Sequence, residues 1–312
     1  MGIVQAPRAS AILYSILARR PDSRAWLLPA NICPIVPITF LKARVPFQLV
    51  DISAKTLQID LELLQAQVKT RKFGGILYAH TYGEPSTPVD FFSTLKNFDP
   101  GLLIVDDRCL CMPDLEQIYP ADVVLYSTGY AKIVELNFGG YAFLQDELKY
   151  RPAHIHFNPA HHDDLEKHYK AAVQARENYI YKDSDWLETD TLVATWYDYR
   201  RKIETELEAS LRQRALLNHV YASRLPRKIQ LPQEYQLWRF NIRVQNKSRI
   251  LKAIFDAGLF ASSHYASMAG IMAEGTAPQA ATLADEVINL FNDHHFDERK
   301  AHRICDVILE NL

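Results

Sequence analysis

Short apolar runs alternate with segments of helical periodicity through residues 1–150, and this alternation constrains the fold more than any other feature. The runs occupy residues 26–28, 47–50, 76–79, 102–105, 123–126 and 141–144. Each is brief and largely apolar, as a strand covered on both faces must be. Between them, Ile12, Leu13, Ile16 and Leu17 recur at helical spacing. So do Leu61, Leu64 and Val68, behind Asp60 as a candidate N-cap. Strands separated by helices predict an α/β domain on a mostly parallel sheet.

The pattern then changes. Residues 151–190 are polar and rich in His and Tyr, and read as a loop and helix excursion from the first domain. A long connecting helix is expected over 191–225, with Ile203, Leu207 and Leu211 on one stripe and Pro226 beyond its end. Residues 226–312 read as a smaller α+β domain. There Trp238, Phe240, Ile242 and Val244 alternate with polar residues, the period of a strand with one wet face. A helix is expected over 248–257, stopped by Gly258, and two more near 283–290 and 297–312. The domains are thus 1–190, the connecting helix, and 226–312.

Composition excludes several classes. At 312 residues and 48% hydrophobic, the chain can bury a sizeable core. Lys+Arg number 35 against 37 Asp+Glu, so no excess charge points to nucleic acid or a membrane surface as partner. No apolar run approaches the ~18–20 residues needed to span a bilayer. The first twenty residues lack a basic leader and a small-residue cleavage site, so a signal peptide is not expected. Four cysteines (Cys33, Cys109, Cys111 and Cys305) suit a reducing, cytoplasmic compartment better than a disulfide scaffold. Walker, G-x-G-x-x-G, H-E-x-x-H, G-x-S-x-G and C-x-x-C motifs are absent.

Two features carry chemistry. Asp106-Asp107 ends the apolar run at 102–105, and ligands of open α/β sheets bind at carboxyl ends of strands. The plain alternative for these carboxylates is a cap or turn. The second feature is Tyr126-Ser127-Thr128-Gly129-Tyr130-Ala131-Lys132, running on to Phe138-Gly139-Gly140. Its hydroxyls and turn amides could hold a phosphate, and Lys132 could form an imine; an exposed lysine after a loop is the alternative. Together they match the needs of a pyridoxal phosphate enzyme. Such an enzyme requires a lysine for the cofactor aldehyde as a Schiff base and a carboxylate beside the pyridine nitrogen. It also needs donors around the phosphate.

At this point the sequence resembles the DegT/DnrJ/StrS family of PLP-dependent aminotransferases, of the aspartate aminotransferase-like fold type I. Ala9-Ser10-Ala11-Ile12 is similar to the start of the family's phosphate-binding helix, and Leu28-Pro29-Ala30-Asn31-Ile32-Cys33 to its P-A-x-T-[FWC] segment. Ala79-His80-Thr81-Tyr82-Gly83 resembles its H-x-[FY]-G turn. Ile104-Val105-Asp106-Asp107 resembles V-I-E-D, and the stretch from Ser127 through Lys132 to Gly140 resembles its lysine and Gly-Gly motif. The resemblance implies pyridoxal 5'-phosphate as cofactor. It makes Lys132 the cofactor-binding lysine and proton-transfer base, and Asp107 the partner of the pyridine nitrogen. It places Ser127 and the amides of Arg8 and Ala9 at the phosphate and Cys33 over the ring; His80 and Tyr82 could touch cofactor or substrate, or form a structural turn. It implies amino transfer from an amino acid to a nucleotide-linked keto-sugar by a homodimer. A lysine at 132 separates the chain from the family's histidine-bearing dehydratase branch.

The departures are specific. Leu110 stands where the family has a glutamine, Pro7 where it has a glycine, and no N-Y-R segment appears near 180–195. Much of the stretch preceding the family's phosphate helix is expected to be missing. A PLP enzyme of another reaction type, or a non-catalytic binding protein on this scaffold, are the alternatives. Elsewhere, His154, His156, His161 and His162 form a candidate metal cluster or an ordinary polar loop. Cys109 and Cys111 read as packing near the cofactor, and His264-Tyr265 as a small-domain loop that could face the site.

Overall fold

The computed structural model describes residues 2–116, 121–190 and 195–312. The start of the expected connecting helix, 191–194, lies outside the described residues. The chain runs Gly2–Ala6 (β1), Ala9–Leu17 (α1), Ala25–Pro29 (β2), Ile35–Ala43 (α2), Phe47–Val50 (β3), Leu61–Val68 (α3), Phe73–Ala79 (β4), Val89–Phe98 (α4) and Leu103–Asp107 (β5). Val123–Ser127 (β6), Gly140–Leu144 (β7), Pro159–Ala175 (α5) and Trp196–Arg224 (α6) follow. Phe240–Arg243 (β8), Lys247–Asp256 (α7), Pro278–Glu286 (α8), Val287–Leu290 (β9) and Glu298–Asn311 (α9) complete it.

Strands β1 to β7 form one sheet in the order β1-β7-β6-β5-β4-β2-β3. All its pairings are parallel except those of β7, which runs antiparallel to both β6 and β1. The six apolar runs of the sequence are β2 to β7. Ile76, Leu77, Ile104, Val105, Val123 and Val124 are almost wholly buried because helices cover both faces. On one face α1 and α2 contribute Ile12, Leu13, Ile38 and Phe40. On the other, Leu64 of α3, Phe92 of α4 and Tyr199 and Ile203 of α6 pack against Tyr78 and Tyr126. Local signals set the helix ends: Asp60 accepts from the N–H groups of Glu62 and Leu63, and Asp297 from that of Lys300. Gly258 turns the chain at φ 68° after α7.

Helix α6 joins two cores. Its first half buries Tyr199 and Ile203 against the large sheet. Its second half buries Leu217, Val220 and Tyr221 against the small unit of β8, β9, α7 and α9. One expectation fails here. The helix expected near 283–290 is helical only to Glu286, and Val287–Leu290 is a strand, antiparallel to β8 with Phe240 opposite Leu290. All four strand residues are buried, so the ladder and the core outweigh continuation of the helix. Strand β1 was not expected. It is an edge strand with its first two residues exposed, which leaves little apolar periodicity to read. No described helix is long and apolar enough to cross a membrane.

Candidate active site

Sheet register gathers the site. Ala6 of β1 lies opposite Gly140 of β7, which lies opposite Ser127 of β6. Asp107 of β5 pairs with Leu125 of β6 on one side and Ala79 of β4 on the other. The carboxyl ends of β1, β5 and β6 therefore open onto one space, and α1 begins at its edge. A cavity of about 1050 Å³ fills that space. Arg8, Ala9, Cys33, Asp107, Ser127 and Lys132 all line it.

The N-terminus of α1 is prepared for an anion. Arg8 is the N-cap and makes no side-chain cap, and no acidic residue occupies the first turn. Arg8 bridges to Gly139 in parallel register, and the N–H of Ser10 has no acceptor among the described residues. A helix start in this state attracts a phosphate through unsatisfied donors and the dipole. Gly140 lets α1 sit here, and Gly139 makes room for Tyr199. A Cβ on Gly140 would overlap the backbone nitrogen of Ala9, and one on Gly139, at φ 93°, would overlap the Tyr199 hydroxyl. Ser127 adds its hydroxyl, which accepts from Gly129 N–H at 3.3 Å.

Lys132 stands in the loop after β6. Its backbone carbonyl accepts from Arg214, while its ammonium has no hydrogen-bond or ion-pair partner among the described residues. Trp238 Nε1 donates to the neighbouring Ala131 carbonyl at 2.7 Å, which fixes the loop. Asp107 is 8% exposed and accepts from Cys109 N–H at 3.0 Å, so its carboxylate is held at the strand end facing the cavity. Burial pushes the Cys33 thiol up, and burial followed by the Asp107 charge holds Cys109 well above an ordinary thiol. Both sulfurs stay protonated near neutral pH. Tyr265 lies beside Cys33, Asp107 and Cys109. Burial and then these three neighbours raise its hydroxyl well above the phenol range. Its ring stacks on Trp238 at 6.4 Å, and Trp238 stacks on Tyr82 at 6.3 Å.

His80 departs from expectation: it does not line the cavity. It is buried behind it, where Nδ1 donates to the Glu84 carbonyl at 2.6 Å and Nε2 meets Asp106 Oδ1 at 2.6 Å. Its backbone N–H donates to the Asp107 carbonyl at 3.2 Å. Burial pulls its pKa down, but Cys111 and Asp106 outweigh that and hold it well above the ordinary value. The ring braces the strand end that carries Asp107. Leu110 likewise turns away from the cavity, into a cluster with Tyr82 and Trp238.

Sequence reasoning missed one wall. His162, Leu165, Glu166 and Tyr169 of α5 line the cavity, as do Trp186 and Glu188. Glu188 meets Arg8 at 3.3 Å. The only signal was the polar, His-rich character of residues 151–190, which does not say what such a segment covers. The four histidines of the candidate cluster, His154, His156, His161 and His162, do not converge on a metal-binding geometry. His154 pairs with Asp190 at 2.7 Å, His161 Nδ1 accepts from Asp185 N–H at 3.2 Å, and His162 faces the cavity.

No protein-family model matches the sequence, and no curated relative does. Solved structures match along nearly its whole length. Sugar aminotransferase CalS13 from Micromonospora echinospora is 18% identical with a TM-score of 0.67, over 99% of this chain and 87% of that one. Helicobacter pylori PseC, an aminotransferase of pseudoaminic acid biosynthesis, is 12% identical with a TM-score of 0.71, over 99% and 86%. A DegT DnrJ EryC1 StrS aminotransferase from Brucella abortus is 14% identical with a TM-score of 0.67, over 100% and 86%. The chain therefore has the fold of the PLP-dependent aminotransferases, fold type I.

Proposed function

We propose that this protein is a PLP-dependent aminotransferase of the DegT/DnrJ/StrS type. It would move an amino group from an amino acid donor to a keto-sugar, with a nucleotide-linked sugar as the favoured acceptor. The observation that carries the reading is the meeting, in one cavity, of an unpaired lysine, a strand-end carboxylate and an unsatisfied helix N-terminus. The residues fit the cofactor. Lys132 would hold its aldehyde carbon and Asp107 its pyridine nitrogen, and Ser127 with the amides at Arg8 and Ala9 would hold its phosphate. Cys33 would lie against the ring.

When bound, the cofactor supplies an electron sink for a carbanion at the donor α-carbon. The protein's own residues do the rest. Lys132 Nζ, with no carboxylate partner, is the base that takes the α-proton and returns it. The Asp107 carboxylate favours a protonated pyridine nitrogen by charge and hydrogen bonding. Cys33 and Cys109, kept as neutral thiols, are poor nucleophiles and do not compete with Lys132 for the aldehyde. The cavity volume, at the top of the roughly 300–1000 Å³ range of small-molecule sites, supports a cofactor with a bulky substrate. Tyr130 and Phe138 are exposed at its mouth, which supports a second subunit covering it in a homodimer.

The test is spectroscopic. Added PLP should give a visible absorbance band in the parent protein, and Lys132→Ala should lack it. A donor such as glutamate should then convert the band to the pyridoxamine form. A specific observation favours a second reading: Leu110 and Pro7 offer no hydrogen-bond donor where family members have glutamine and glycine. A non-catalytic binding protein on this scaffold would hold the cofactor yet show no conversion with any amino donor.

A further inference from the structure

Away from the cavity lining, one group of side chains has the composition of a metal site. Glu135, His294 and His295 place one ligand atom each within 4.8 Å of the others. They come from the two loops that meet at the edge of the site: the Lys132 loop after β6, and the turn between β9 and α9. We propose that these three residues bind a divalent transition-metal ion, with zinc the best match.

The donor set fits a metal ion. Two imidazoles and a carboxylate suit zinc, which takes N and O ligands in a tetrahedron and leaves a fourth position to water. Ligand atoms of such a tetrahedron lie about 3.3 Å apart, so the widest pair here must close by about 1.5 Å or less. Both histidines are exposed and free to rotate by that amount. The pair nearest to Glu135 is already close, with His295 Nε2 3.5 Å from Oε1.

Hydrogen bonds hold Glu135 and the histidine turn in place. Glu135 is held in place because its Oε2 accepts from Ala131 N–H at 2.9 Å, which leaves Oε1 toward His295. The His294-His295 turn is fixed by Asp293, whose Oδ1 accepts from His295 N–H at 3.1 Å. Asp293 is in turn tied to the buried Arg239 guanidinium. Lys300 Nζ donates to the His295 carbonyl at 3.1 Å. The two imidazole rings lie 3.9 Å apart, on the same side of the turn. Ligands oriented by backbone and side-chain hydrogen bonds in this way are what a metal centre needs. Bound metal would clamp the small unit to the loop that carries Lys132. The cofactor reading is not needed for this site, and the metal can be tested without PLP.

The probe is Co²⁺, whose visible absorption reports coordination number, with Zn²⁺ as competitor. The full chain, stripped with EDTA, should bind one equivalent of Co²⁺ saturably, and Zn²⁺ should displace it. His294→Ala, His295→Ala and Glu135→Gln should each weaken binding by at least about tenfold. Glu135→Gln keeps an acceptor for Ala131 N–H, so its loss of binding is not a loss of fold. Zn²⁺ should raise the melting temperature of the parent and leave that of the double variant His294→Ala/His295→Ala unchanged. His154→Ala/His156→Ala should bind as the parent does. Absence of a saturable Co²⁺ site, parental affinity in the double variant, or loss of binding in His154→Ala/His156→Ala would each overturn the proposal.

Discussion

A lysine inside a cleft normally finds a carboxylate. Among the described residues Lys132 does not, although Asp107 lines the same cavity, and under the proposed function this separation would leave an amine and an acid to hold different atoms of one ligand. Asp107→Asn should keep the fold and lower the rate of amino transfer by about 10²-fold or more, read as kcat with saturating PLP. His80 acts at one remove. Its raised pKa, set by Cys111 and Asp106 against the cost of burial, means that the folded protein holds a proton there that the unfolded chain releases near 6.5. That stabilisation is complete below the unfolded value and is lost as pH rises through the raised folded value. His80→Leu removes one of three partners of the buried Asp106, which keeps Thr87 at 3.1 Å and Arg108 at 3.6 Å, and should cost about 1–3 kcal/mol at pH 6. Urea denaturation from pH 6 to 9 should show a shallower alkaline decline in this variant than in the parent. An equal decline would detach His80 from the effect.

Among the elements, α1 and β7 depend on each other through one close approach. Gly140 lets the first turn of α1 lie against the sheet, and any Cβ there meets Ala9 N. Gly140→Ala should weaken PLP binding, measured by fluorescence titration, and destabilise by about 1–3 kcal/mol through overpacking. The same elements show what the sequence discloses. Strands β2 to β7 were legible because burial on both faces leaves uninterrupted apolar runs. Asp107 and Lys132 were legible because each follows such a run. Strand β9 was not: Val287-Ile288-Asn289-Leu290 continues from α8 without a Gly or Pro, and a short apolar run has no period of its own. The placement of His80 was also hidden. Position at a strand end is local, but which side its ring takes is decided by Asp106 and Glu84, and those contacts are tertiary.

At the scale of the molecule, the two cores meet through an aromatic column. Trp238 precedes β8, stacks between Tyr82 and Tyr265, and hydrogen-bonds the carbonyl beside Lys132. Trp238→Phe should retain most of the stacking and lose about 1 kcal/mol with the hydrogen bond. Trp238→Ala should cost about 3–5 kcal/mol in thermal or urea melts. Both should raise the Kd for PLP, Trp238→Ala more, because the Lys132 loop loses its anchor. The α5 wall belongs to this scale too. Its residues share no motif, and only the folded chain brings them over the cavity.

Borohydride reduction of the PLP-loaded protein, followed by digestion and peptide mass spectrometry, tests the central claim most directly. The account predicts a phosphopyridoxyl group on Lys132, one per chain. Its appearance instead on Lys202, the other lysine that lines the cavity, or on no defined lysine, would contradict the account.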